Sequence, residues 1–290
     1  MLTLENEYLK AKISPRGGEL QSLCSRDGLE YIWQADPEFW PMYGPNLFPI
    51  VGHAGKRGIQ IEGNVYQMPM HGFLMGMDLE VETADCCGCT LVLHSSKITH
   101  VWYPYDFVLR LQYRLEGKSL ELCYTVKNTD EHSLFYGLGG HPGFRVPLSD
   151  TGKFEDCLLQ FSTSEALTRV ELTNSGFASG VESLLSVDGE GMLPLRHDLF
   201  DRDAVVVKNP GRTVTLVDTV CGHGVRMTAP EFPYLGLWHN PGRKAPFLCM
   251  EPWTTPPGEE VDIEDLCERA DIRILKPGQE ESLHWQIQVF

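Results

Sequence analysis

The sequence predicts an all-β protein: a large single-domain antiparallel β-sandwich spanning residues 1–290, with few short helices. Three observations carry this reading. Apolar and polar residues alternate with a period of two in segment after segment, while helical periodicity is scarce. Twenty-eight glycines and nineteen prolines punctuate those segments at the intervals of a large antiparallel sheet protein. No fixed-period repeat, low-complexity stretch or Pro/Ser linker divides the chain, and a hydrophobic content of 42% is ample for one sizeable core. In chain order, residues 8–14 alternate as a strand and Pro15-Arg16-Gly17-Gly18 turns it. Residues 37–40 are expected to form a first short helix. Residues 91–95 are a short strand. Residues 107–115 alternate, stop at Glu116-Gly117-Lys118 and resume at 119–126, which is the signature of a β-hairpin. Residues 173–194, rich in Gly, Ser and Glu, are expected to be a long loop, flanked by further strands at 204–207 and 213–217. A second short helix is expected at 263–267, with Asp262 as its cap, and residues 284–289 close the chain as a strand.

Composition excludes several function classes. The formal net charge is −16, a field that repels phosphate backbones and anionic lipid, so neither nucleic acid nor a membrane surface is an expected partner. A small anionic substrate stays open, because local arginines outweigh a distant field beyond the screening distance of roughly 8–10 Å. No run approaches the roughly 18 apolar residues of a membrane helix. The first seven residues lack a basic segment followed by an apolar one, so no signal peptide is expected. Nine scattered cysteines suit reduced thiols in a cytoplasmic protein. Cys86-Cys87-Gly88-Cys89 fits no tetrahedral four-ligand spacing and reads as a glycine turn with free thiols, so no metal is expected.

The chemistry that remains is acid–base work. The chain has no Gly-x-x-x-x-Gly-Lys-Ser/Thr loop, no Gly-x-Gly-x-x-Gly after a strand and no Gly-x-Ser-x-Gly elbow. Its ten histidines include no His-x-His or His-Glu-x-x-His pair. Two of them sit in matched settings, Met70-His71-Gly72-Phe73 and Gly139-Gly140-His141-Pro142-Gly143-Phe144, each with glycine for close backbone approach and an aromatic neighbour. His94, His100, His132, His197, His223, His239 and His284 read as hydrogen-bonded structural groups. Glu251 interrupts the apolar run Phe247-Leu248-Cys249-Met250-Glu251-Pro252-Trp253. A carboxylate there needs a partner other than bulk water, either a ligand or a buried arginine or backbone amide.

Seven segments occur in one order: 13–22, 31–37, Asn46-Leu47-Phe48-Pro49-Ile50-Val51-Gly52, His71-Gly72-Phe73, Tyr103-Pro104-Tyr105-Asp106-Phe107, Gly139-Gly140-His141-Pro142 and Glu251-Pro252-Trp253. Together they resemble the aldose 1-epimerase (mutarotase) family, and within it the LacX-like branch. The resemblance implies the galactose mutarotase-like sandwich, a monosaccharide on its concave face, and interconversion of α and β anomers without cofactor or metal. It implies Glu251 as the base, His141 as the acid, and His71 as a group that hydrogen-bonds the sugar. Phe73 and Trp238 would lie against the sugar's C–H face or in the core.

The chain also departs from the family pattern. After Gly52 the family commonly carries an arginine that holds sugar hydroxyls; here stand His53 and, slightly further on, Lys56 and Arg57, so His53 and Arg57 are the substitute binding candidates. After Phe73 the branch usually shows Ala-Arg, where this chain has Leu74 and Met75. After Glu251-Pro252-Trp253 it usually continues to a glycine and then an aspartate, where this chain has Thr255 and Gly258. The implied substrate is a free aldose first and a hexose 6-phosphate second, the latter held by Arg16, Arg57, Arg145 or Arg243 if these converge. A non-catalytic carbohydrate-binding or sensing protein of the same fold is the rival class. The assembly is expected to be a monomer or homodimer.

Overall fold

Most period-two segments become strands of two large antiparallel sheets in the computed structural model, which describes residues 1–163 and 165–290, while Leu9–Ile13 joins a separate three-stranded sheet between Leu2–Glu5 and Leu20–Ser25. The back sheet has nine strands, in the order Met192–Pro194, Cys157–Phe161, Thr213–Asp218, Gly224–Thr228, Glu280–Val289, Ser119–Asn128, Phe107–Glu116, Gly88–His94 and Glu80–Ala84. Phe107–Glu116 and Ser119–Asn128 are the expected hairpin, in register from Ser119 opposite Glu116 to Asn128 opposite Phe107. The front sheet has eight strands and runs from the edge strand Ala178–Leu185 through Leu167–Leu172, Val205–Lys208 and Tyr234–Trp238 to Phe247–Trp253. Beyond that strand lie Gly139–Gly140 and Asn46–Leu47, and Gly143–Arg145 also pairs with Phe247–Trp253.

Alternation along Phe247–Trp253 explains where the site lies. Successive side chains of a strand point to opposite faces. Leu248 and Met250 enter the main core, which also holds Leu109, Leu111, Leu122 and Ile287 of the back sheet. Phe247, Cys249, Glu251 and Trp253 therefore face the other way, and loops cover them, since all seven residues of the strand are buried. A polar bridge ties the sheets near the same point: the Tyr124 hydroxyl donates to Asn46 Oδ1 at 2.6 Å, and the Trp285 indole donates to Tyr124 at 3.3 Å.

Three expectations are corrected. Residues 173–194 are not one long loop, because they contain the strands Ala178–Leu185 and Met192–Pro194. Ala178–Leu185 is an edge strand exposed along most of its length, so it needs no apolar face and shows no alternation. Residues 37–40 form one turn instead of a helix, with the Phe39 and Trp40 amides donating to Asp36 O, and Pro41 follows. In the 263–267 segment, Glu264–Asp265 pairs in parallel with Ile59–Ile61, and a single 3₁₀ turn, Leu266–Glu268, follows. Its cap is Asp265, which accepts from the Cys267 amide, while Asp262 is engaged with Arg57 at 2.7 Å. Among the described residues no helix is long and apolar enough to cross a membrane, and the nine cysteines are free thiols.

Candidate functional site

Strand register brings His141 and Glu251 together. Gly139 pairs with Trp253 and Gly143 with Cys249, so residue 141 falls opposite residue 251. Pro142 has no N–H to give, but its carbonyl accepts from the Met250 amide at 3.2 Å, and the His141 amide donates to Pro45 O at 2.9 Å on the side of Asn46–Leu47. The imidazole is left free to meet the carboxyl, with Nε2 3.1 Å from Glu251 Oε2. The contact is off the hydrogen-bond axis: both Glu251 oxygens and His141 Nδ1 are buried without a hydrogen-bond partner. Trp40 stacks on the His141 ring at 4.9 Å, and Trp238 meets it edge-on at 5.8 Å.

His71 arrives on a loop and is held by backbone geometry. It occupies the left-handed region at φ +63°, followed by Gly72 at φ +75°. A non-glycine residue there costs of order 1–2 kcal/mol and marks a position the surroundings enforce. Enforcement comes from Gly52, whose carbonyl accepts from the His71 amide at 2.8 Å and whose amide donates to His71 Nδ1 at 3.0 Å. With Nδ1 accepting, the neutral ring carries its proton on Nε2, so His71 presents a donor. Its ring lies 5.4 Å from that of His141.

Burial sets the protonation of all three groups. Glu251 is 1% exposed. Burial pushes its pKa well above the usual carboxylate range, the negative Asp203 adds to this, and the nearby Trp253 indole N–H offsets part of it. Burial, then the neighbouring His71, holds His141 well below the ordinary imidazole value. His71 is lowered to about 4 by burial and then by His53. These surroundings favour a neutral acid beside neutral imidazoles.

These groups line a cavity of about 580 Å³. His141, Glu251 and Trp253 lie on sheet strands or between them, Trp40, Trp238, His53 and His71 contribute rings, and Asn174, Arg202 and Asp203 add polar groups. Of the residues singled out from the sequence, His53, His71, His141, Trp238 and Glu251 meet here. Phe73 and Arg57 do not. The left-handed turn at His71-Gly72 sends Phe73 into the core, 4% exposed and packed near Phe48, Trp102 and Phe107. Arg57 lies outside the cavity, two-thirds exposed and paired with Asp262. Arg16, Arg145 and Arg243 do not line the cavity either.

Sequence reasoning missed Trp40, Asn174, Arg202 and Asp203. Trp40 was hidden by the helical expectation for its segment. Asp203 sits at φ +97° and caps itself by accepting from the Ala204 amide at 2.9 Å, a conformation no pattern in the chain announces. Arg202 shares that turn, and nothing around it in sequence resembles a binding motif.

The depressed His71 value has a consequence for stability. Between about pH 6.5 and about pH 4 the unfolded chain takes up a proton at this ring and the native protein does not. Stability therefore falls as pH drops through that window, by less than the roughly 3 kcal/mol a fully buried ring would give, because His71 is part-exposed on the cavity wall. His71→Asn tolerates the left-handed backbone and offers an oxygen to the Gly52 amide. It is expected to flatten the acid side of the Tm-versus-pH curve, and an acid slope equal to that of the wild type would refute the assignment.

Comparison with known proteins agrees with this architecture. The family model described as aldose 1-epimerase matches residues 1–288. The chain is 32% identical over 266 residues to the chromosomal protein LacX of Lactococcus lactis subsp. lactis, covering 87% of each chain. It superposes with a TM-score of 0.95 on a galactose mutarotase-like protein from Lactobacillus casei, at 31% identity and full coverage of both chains. A galactose mutarotase related enzyme from Lactobacillus acidophilus gives a TM-score of 0.93 at 30% identity, covering 99% of this chain and 96% of that one.

Proposed function

Because the chain belongs to the aldose 1-epimerase family, we propose that it interconverts the α and β anomers of a free monosaccharide by acid–base opening and closure of the hemiacetal ring. The observation that supports this most is the buried His141–Glu251 contact of 3.1 Å, with open hydrogen-bonding positions at a sugar-sized or larger cavity. Between them the carboxyl and the imidazole share one titratable proton. Moving that proton from Glu251 to His141 gives the charged pair without changing the proton count, and sugar hydroxyls supply the hydrogen bonds that the carboxylate otherwise lacks. Glu251 then takes the proton from the anomeric hydroxyl, the C1 carbonyl forms, the C1–O5 bond breaks, and O5 takes the His141 proton. Rotation about C1–C2 and the reverse transfers close the ring on the other face. His71 Nε2–H is suited to stabilise charge developing on the ring oxygen. Trp40 and Trp238 offer apolar rings to the C–H face of the sugar.

One observation bears on the substrate. Arg202 is the arginine lining the cavity, and it stands between Asp201 and Asp203. Imidazole at His53 offers fewer donors than a guanidinium, so Arg202 is the group best fitted to hold hydroxyls in several directions. The flanking acids favour a neutral sugar over a phosphorylated one.

Polarimetry tests the reading. Freshly dissolved α-aldose is expected to reach its equilibrium rotation faster with the protein than in buffer. Arg202→Ala is expected to raise KM about tenfold with little change in kcat, the loss of one to two kcal/mol from a charged hydrogen bond. Buffer rates for several common aldoses and their 6-phosphates would overturn the catalytic claim. Saturable sugar binding in calorimetry at those same buffer rates would assign the chain to the binding or sensing class. An Arg202→Ala defect confined to 6-phosphates would reverse the preference for a neutral sugar.

A further inference from the structure

Cys249 is a buried thiol beside the candidate site that the proposed mechanism leaves unused. It lies two residues before Glu251 on the same strand, so both side chains share a face. One ring nitrogen of His141, the Cys249 sulfur and one Glu251 oxygen all lie within 4.8 Å of one another, and all three residues are buried. We propose that His141, Cys249 and Glu251 form a three-donor site for a thiophilic divalent cation of the zinc class, its remaining position open to the cavity.

The donor set and the spacing suit such an ion. Nitrogen, thiolate and carboxylate are zinc ligands, and three protein donors plus one open position is the arrangement of an accessible zinc site. With bonds of about 2.0–2.3 Å, tetrahedral donors sit roughly 3.3–3.7 Å apart. His141 Nε2 and Glu251 Oε2 are already 3.1 Å apart. Both Glu251 oxygens are buried without a hydrogen-bond partner, so an ion here displaces no protein hydrogen bond of the carboxyl. Trp33, Ala245 and Phe247 pack with Cys249 in a small apolar cluster that keeps bulk water from the sulfur.

Charge and protons balance. A dication takes the Cys249 thiol as thiolate and Glu251 as carboxylate, with His141 neutral, so the complex carries no net charge and releases two protons. A neutral complex avoids the penalty of a buried net charge. Affinity therefore rises with pH. Ion binding stands on this geometry alone. That ion and sugar exclude one another rests on the function proposed above, because both would use His141 and Glu251.

Co²⁺ added to the chelator-treated full-length protein is the probe, read by its absorption spectrum. One equivalent is expected to produce a thiolate-to-cobalt charge-transfer band. Cys249→Ser and Cys249→Ala, each checked for folding by thermal melting, are expected to lose that band and to weaken Zn²⁺ binding by about tenfold or more. The exposed Cys86 and its neighbour Cys87, with sulfurs 3.3 Å apart, are the rival thiols. Cys86→Ser/Cys87→Ser is expected to keep the band. Absence of a thiolate band in the wild type overturns the proposal whether or not the Cys249 variants fold. A band that survives in Cys249→Ser and disappears in Cys86→Ser/Cys87→Ser overturns it as well. Should the protein lack mutarotase activity, the Co²⁺ spectrum still reports on the ion site, and only the competition with sugar falls.

Discussion

Glu251→Gln is expected to slow anomer interconversion by about 10²–10⁴-fold while leaving the melting temperature within a few degrees of the wild type. The two halves have one cause. Burial and the neighbouring Asp203 favour the protonated acid, so glutamine replaces a neutral group of the same shape. It cannot take the anomeric proton, and its neighbour His141 has no other buried acid within contact distance to exchange protons with among the described ion pairs. Polarimetry at saturating sugar and a thermal melt on the same sample separate the possibilities. If Glu251 were a structural carboxylate paired with a buried cation, removing its charge would cost about 3–5 kcal/mol of stability. A variant that loses stability on that scale, or that keeps more than a tenth of the rate, would remove Glu251 from the catalytic role.

Gly72→Ala is expected to destabilise the fold by more than about 3 kcal/mol, lowering Tm on the order of 5–10 °C, and to impair activity with it. A Cβ at this position would lie 2.0 Å from the Phe48 carbonyl oxygen and 2.7 Å from Pro49 N, both backbone atoms that cannot rotate away. The residue also sits at φ +75°, which alone costs an alanine of order 1–2 kcal/mol. Gly180 separates the two contributions: it has the same φ of +75° and nothing within 4 Å of its would-be Cβ. Gly180→Ala should therefore show the backbone penalty alone. Relief of the Gly72 clash has to move the chain that carries His71 or the segment from Phe48 to Gly52 that holds the His71 ring. Thermal melts of both variants, with polarimetry on Gly72→Ala, check this. Equal losses at the two glycines would show that the close approach to Phe48 is not tight.

Legibility differed from one part of the chain to another for physical reasons. The hairpin of Phe107–Glu116 with Ser119–Asn128 was readable because one buried face imposes a period of two over ten residues. Ala178–Leu185 was not, since an exposed edge strand is held by backbone hydrogen bonds that leave no mark on side-chain type. His71, His141 and Glu251 were visible because each violates its local setting: imidazoles flanked by glycine, and a carboxylate in an apolar strand. Phe73 and Arg57 followed motif neighbours that proximity in sequence does not keep together in space.

By itself the sequence determined the sheet-rich architecture, the seven ordered family segments and the three polar groups of the candidate site, all properties of local pattern or local anomaly. Tertiary structure alone decided that residue 141 falls opposite residue 251, that Cys249 stands beside both, that Phe73 turns into the core, and that Arg202 and Asp203 reach the cavity. Those outcomes depend on strand register and on left-handed turns. Register joins residues far apart in the chain through backbone hydrogen bonds that are largely independent of side-chain type, so no short stretch of sequence carries the information.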